Sequence, residues 1–254
     1  MLILGLHKRD VPNVGDLAAG PLDYVDLAGP ADEQIIAHVK TPPALKPDVV
    51  VLGGGAIAKY APRIRKKYPK SLLIGWGLGH TSTRRAPVSR WPHLWLRRGY
   101  ALWGTRDAST GLTYAPCPSC LHPGFNDAPA PQHDVVVFGH AMYSPLKDAC
   151  AQNGLPYLDN LDAGGIDAAI AFLASGRTVI SSSYHGAYWG TLLGRRVAAI
   201  PFGSKFYSYF HQPALVRTLE DGIAEAKAHP SALSHARTAS KAFEDAVRRM
   251  IATR

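Results

Sequence analysis

The sequence predicts an α/β protein made of doubly wound parallel sheets, and three observations lead there. Apolar runs rich in Val, Ile and Leu recur along the chain, stretches of helical character separate them, and glycine-rich or small polar segments follow several of the runs directly. Strands buried on both faces of a parallel sheet read as such continuous apolar stretches, because helices cover both sides.

The expected strands are residues 2–6, 48–52, 71–76, 134–138, 178–181 and 197–200. Between them, residues 57–68, 145–153, 167–175 and 185–193 are expected as helices. Residues 230–254 are rich in helix formers, with Leu233, Phe243, Val247 and Ile251 available for one face, and predict a terminal helix. Residues 115–133 carry Pro116, Pro118, Pro123, Pro129 and Pro131, which no helix or central strand tolerates. The junction between two Rossmann-like domains is placed there, giving an N-terminal domain of residues 1–128 and a C-terminal domain of residues 129–254 with the terminal helix. Ligands of open α/β sheets sit beyond the carboxyl ends of the strands, so the two halves should enclose a cleft.

With 46% hydrophobic and 19% charged residues the composition is that of a folded globular chain. The apolar start is interrupted at His7, Lys8 and Arg9, too soon for a signal sequence or a membrane span, which predicts a cytoplasmic protein. Three cysteines, two of them in Cys117-Pro-Ser-Cys120, do not make a disulfide framework, and too few ligands accompany them for a structural zinc. They read as structural thiols in the linker. A net charge of +9 favours an anionic partner. That partner is nucleic acid, an acidic membrane surface or a small phosphorylated substrate, and charge alone does not choose among them; the basic residues are scattered or interleaved with apolar ones and no nucleic-acid-binding signature is present, which lowers the nucleic-acid option.

Candidate binding residues lie where strands end. Asn13, Gly15 and Asp16 follow the first strand and open a helix whose N–H groups can hold an anion; in isolation the plainer reading comes first, that Asn13 or Asp16 caps the helix and Gly15 makes the turn. Gly54 and Gly55 follow the second expected strand and permit close approach, without the dinucleotide-binding spacing. A further loop, Gly75 to His80, delivers an imidazole toward the cleft, with a surface histidine as the equal alternative. Arg106 is suited to grip phosphate or carboxylate, against the alternative of a structural pair with Asp107. In Ser183-Tyr184-His185-Gly186, small polar residues lead a histidine into a helix start, which points to a functional imidazole at His185. Lys205 follows the next strand and could add a second positive charge to that pocket, against the commoner case of a simply solvated lysine. Residues 84–103 interleave arginines with Trp91, Leu94, Trp95 and Leu96; they fit a lipid surface, or equally a helix with its aromatic face in the core and its arginines in solvent.

Taken in order, NVGD, the GGG run, GWGLGH, TRDAS and SSYHGAYWGTLLGRRVAAIPFGSKF resemble the polysaccharide pyruvyl transferase family over roughly residues 2 to 210. The last segment most resembles bacterial exopolysaccharide ketal-pyruvate transferases, with Ser183 where many relatives carry an arginine. The resemblance implies a glycosyltransferase-B-like pair of domains, phosphoenolpyruvate as donor, a glycan acceptor in polymeric or lipid-linked form, and no cofactor or obligatory metal. It implies His185 and Arg106 as catalytic residues and His80 at a binding-loop position. Peripheral membrane association is compatible with a lipid-linked acceptor. The competing expectations are a nucleotide-sugar-dependent glycosyltransferase and a non-catalytic glycan- or anion-binding protein of the same fold.

Overall fold

The computed structural model describes residues 1–143 and 145–253. The chain forms two five-stranded sheets in which all neighbouring strands run parallel. The first contains β1 (Leu2–His7), β2 (Glu33–His38), β3 (Val49–Gly55), β4 (Leu72–Leu78) and β5 (Leu102–Thr105), in the order β2-β1-β3-β4-β5. The second contains β6 (His133–Gly139), β7 (Tyr157–Asp159), β8 (Gly176–Ser181), β9 (Arg196–Ala199) and β10 (Ala214–Leu215), in the order β10-β9-β8-β6-β7. Counted from its own first strand, each sheet has the same doubly wound order. Its topological switch point falls between β1 and β3 in one half and between β6 and β8 in the other, and such crevices are where open α/β sheets take ligands.

Eight α-helices accompany these strands among the described residues: α1 (Val14–Leu17), α2 (Ala61–Lys67), α3 (Arg90–Leu96), α4 (Pro145–Gln152), α5 (Ile166–Ala174), α6 (Tyr184–Leu192), α7 (Leu219–Glu225) and α8 (Ala232–Ala252). Alternate residues along the central strands feed opposite faces. Leu4, Leu6, Val50 and Leu52 pack with Ile64 of α2, whereas Ile3, Val49, Val51 and Trp76 pack with Phe243 and Val247 of α8. In the second sheet Val136, Phe138 and Val179 meet Ile170, Leu173 and Trp189 of α5 and α6, and the opposite face meets Leu146 of α4 and Leu219 of α7.

Helix α8 joins the two halves. Its first turns place Ala232 and Ala236 in the core of the second sheet, and its last turns carry Phe243 and Val247 onto the first. Arg254, included in the expected terminal helix, lies outside the described residues.

All six expected strands form. The four edge strands β2, β5, β7 and β10 escape the reading, since edges are short or only half-buried and lack the continuous apolar run. The expectation of an aromatic face in the core over residues 84–103 is corrected in α3. Trp91 and Trp95 are 73% and 55% exposed, and the buried side chains are His93 and Leu96.

Candidate functional site

The carboxyl ends of the two sheets face one another, and loops from both halves interlock there. The Val14 N–H donates to the Asn160 carbonyl (2.9 Å), and the Ser204 N–H donates to the Ser82 carbonyl (3.0 Å). The Ser82 N–H returns a bond to Ser204 Oγ at 2.9 Å.

Arg106 follows β5 and is 3% exposed. Its guanidinium lies over the Tyr184 ring, 3.8 Å from the centroid. The adjacent carboxylate does not pair with it, because Asp107 Oδ2 accepts the His80 N–H (2.7 Å) and faces His93 Nε2 (3.0 Å). Arg106 Nε and Nη1 are buried without hydrogen-bond partners. A guanidinium is always charged and a buried charge without hydrogen-bond partners is costly, so the free Nε–H and Nη1–H donors are chemically suited to an anion. It reaches this position because Gly79 has no side chain; a Cβ there would stand 2.5 Å from Arg106 Nε.

His185 sits in the first turn of α6, 7% exposed. Ser183 is the extended N-cap residue and gives no side-chain capping bond, so the first-turn N–H groups have neither cap nor intrahelical acceptor. The N-terminus of α6 thus presents positive potential at the imidazole. Ser181 Oγ, which accepts the Ser183 N–H (3.0 Å) and donates to the Phe138 carbonyl (2.6 Å), fixes the bend that leads into the helix. Tyr184 stacks on Tyr209, with centroids 4.6 Å apart, and so holds the surface under Arg106. Gly186 lets α6 approach β6, since a Cβ there would meet Ser181 Oγ and the Phe138 ring.

Burial, then the charges of Arg106, Lys205 and Lys8, hold His185 well below the usual histidine range. The imidazole is therefore neutral at neutral pH in the unliganded protein. Its Nε2 lies 3.5 Å from Cys117 Sγ, and its ring is tilted against Trp189.

Lys205 lies half-buried on a short 3-10 turn, with Nζ 5.0 Å from the Phe202 centroid. Burial, then Arg106, lowers it to about 8, so it keeps its proton at neutral pH while remaining easier to neutralise than a solvated lysine. Across the cleft, Lys8 Nζ pairs with Asp16 Oδ2 at 2.6 Å. His140, just beyond β6, donates its N–H to Ser182 Oγ (2.9 Å); burial, then Lys205, lowers its imidazole.

The other expected residues divide between binding surface and scaffold. Asn13 Oδ1 accepts the N–H groups of Gly15 (3.0 Å) and Asp16 (3.3 Å), so it caps α1 and occupies those donors. Gly15 instead makes room for His185. Gly54, at φ 75°, leaves no space for a Cβ beside the Ala19 backbone, so its close approach is to the protein itself. Gly55, at φ 76°, faces the Asp16 carboxylate. His80 lies at the rim, half-buried, its imidazole lowered by burial and then by His93.

Sequence reasoning missed Lys8, Asp107, His140 and Cys117. Lys8 and His140 follow β1 and β6, the strands beside the two switch points, so the strand-end rule alone could have found them. Cys117 gave no such signal. The proline-rich linker runs beneath the cleft, where Cys117 meets His185 and Ser119 Oγ accepts the Trp189 Nε1–H at 3.0 Å. Among the described residues no group of His, Cys, Asp and Glu is arranged to hold a metal ion.

In comparisons with known proteins, no family model, no curated protein and no solved structure matches this chain.

Proposed function

We propose that the protein is a pyruvyl transferase of the polysaccharide-modifying kind, with a glycosyltransferase-B-like architecture and phosphoenolpyruvate as donor. The observation that carries this reading is the buried guanidinium of Arg106, without hydrogen-bond partners at Nε and Nη1 and near enough to Lys205 and a neutral His185 for its charge to act on both. Phosphoenolpyruvate carries its carboxylate and its phosphate on the same central carbon, and a planar fork with a nearby ammonium suits both.

In this reading Arg106 and Lys205 bind the donor anions and the α6 N-terminus supplies further N–H donors. Burial is the first cause that keeps His185 neutral and the neighbouring cations are the second; negative charges brought beside it reverse the second, which favours proton uptake by the imidazole as the donor binds. It then delivers that proton to the methylene carbon while a sugar hydroxyl attacks the central carbon. Attack by a second hydroxyl releases inorganic phosphate and closes the ketal. Of the two hydroxyl protons, one replaces the proton His185 gave to the methyl carbon and the other leaves with phosphate. No cofactor enters this scheme. The acceptor is a surface or exopolysaccharide, or its lipid-linked precursor reached from the cytoplasmic side.

The test is acceptor-dependent release of phosphate from phosphoenolpyruvate, read together with the mass gain of the glycan. Release with a panel of pyruvylatable glycans, lost in His185→Ala, is the expected result. Turnover of a nucleotide sugar instead, or activity unchanged in His185→Ala, overturns the proposal.

A further inference from the structure

Helix α3 presents its aromatic residues outward. Trp91 and Trp95, four residues apart and therefore on one face, are 73% and 55% exposed, whereas His93 and Leu96 anchor the opposite face. Exposed arginines surround the pair: Arg84, Arg85 and Arg90 before it, Arg97 and Arg98 after it. Among the described residues none of these five forms an ion pair. No Asp or Glu occurs between Asp48 and Asp107, and Asp107 is buried against His93, so no carboxylate of this segment reaches the surface. The neighbouring α2 adds Arg65, whose guanidinium donates to the Arg98 carbonyl.

We infer that this face docks on an anionic lipid surface. Tryptophan is the side chain best suited to the headgroup boundary, and each nearby Arg or Lys adds electrostatic attraction to anionic lipid. A second protein surface would have to bring carboxylates to five arginines around two indoles, and the protein's own net charge of +9 disfavours a second copy of this chain. No described helix is long and apolar enough to cross a membrane, so the contact is interfacial.

The docking face is tied to the catalytic cleft. His93 projects from the buried side of α3 to Asp107 Oδ2 at 3.0 Å, and that same oxygen accepts the His80 N–H at the cleft rim. Val88, just before α3, donates its N–H to Ser208 Oγ of the second half at 2.9 Å. Docking through α3 therefore engages an element bonded to both the cleft rim and the second half, whatever reaction the cleft performs.

The test is co-sedimentation of the full chain with vesicles of phosphatidylcholine alone and with phosphatidylglycerol added. Tryptophan emission is read in parallel. Trp76, Trp103 and Trp189 are buried, so a blue shift on vesicle addition reports Trp91 and Trp95. Binding is expected only to the anionic vesicles, weakening as salt rises. It should fall by roughly tenfold or more in Trp91→Ser/Trp95→Ser and in Arg97→Gln/Arg98→Gln, with thermal stability unchanged because these side chains are exposed. Absence of binding to anionic vesicles, or binding undiminished in the tryptophan variant, overturns the inference. So does a dimer in sedimentation velocity that the tryptophan variant abolishes, which would assign the face to a second copy.

Discussion

The backbone of Gly15 lies directly against the imidazole of His185, so close that a Cβ added at position 15 would stand 2.0 Å from Nδ1. Loops from opposite halves thus meet at the proposed catalytic histidine, and α1 fixes how the imidazole is aimed. Gly15→Ala should therefore displace His185 and lower turnover by about 10²–10⁴-fold, the usual contribution of a positioned acid–base group. The check is turnover beside thermal unfolding: folded but slow protein is expected, and wild-type turnover contradicts the placement.

Arg106 should cost stability in the unliganded protein, since its buried Nε and Nη1 lack partners. Arg106→Met should raise unliganded stability by about 1–4 kcal/mol, as hydrophobic replacements of buried charge often do, and abolish stabilisation by phosphoenolpyruvate. Chemical denaturation with and without the anion reads both. A destabilised variant that still responds to phosphoenolpyruvate contradicts the assignment.

Donor binding should be accompanied by proton uptake. His185 is held neutral by burial and by Arg106, Lys205 and Lys8, and a bound anion reverses the charge part of that shift. Titration calorimetry near neutral pH in buffers of differing ionisation enthalpy should show net uptake in the wild type and reduced uptake in His185→Gln. Proton release on binding would contradict this role.

Stability should fall as pH drops below the ordinary histidine range. Burial, then Arg9, lowers His7 from 6.5 to about 4, and His185 is shifted the same way. Between those values the unfolded chain binds protons that the folded chain does not, so stability is full above 6.5 and is lost as pH falls toward 4. His7 alone accounts for up to about 3 kcal/mol. A melting temperature that is flat near pH 7, declines through about pH 5, and declines less in His7→Gln is expected. A pH-independent melting temperature contradicts it.

Helix α8 should be essential to the first half although it ends the chain. Phe243 is buried against Trp76, with ring centroids 5.2 Å apart. Phe243→Ala should cost about 3–5 kcal/mol in denaturant unfolding. A loss below about 1 kcal/mol would mean that the helix only rests on the sheet.

The central strands were legible in the sequence because burial on both faces leaves a continuous apolar signature, as in Val49 to Leu52. Edge strand β2 was not, because its residues are half-exposed and its pairing with β1 is a long-range fact. At the site, Arg106 and His185 were visible from strand-end position and residue type. Their contact through Tyr184, and the diversion of Asp107 to His80 and His93, depend on how the two halves meet, which no local pattern encodes. The outward tryptophans of α3 were unreadable for a related reason. The composition fits either face inward, and what decided it was the bond from buried His93 to Asp107, fourteen residues away in the chain.

The most direct test of the central claim is thermal unfolding with phosphoenolpyruvate, UDP and inorganic phosphate in parallel. A ligand at about 100 times its dissociation constant adds roughly 2.7 kcal/mol of stability. The proposal predicts a shift that is selective for phosphoenolpyruvate and absent in Arg106→Met. A selective shift with UDP, or no shift with phosphoenolpyruvate, contradicts it.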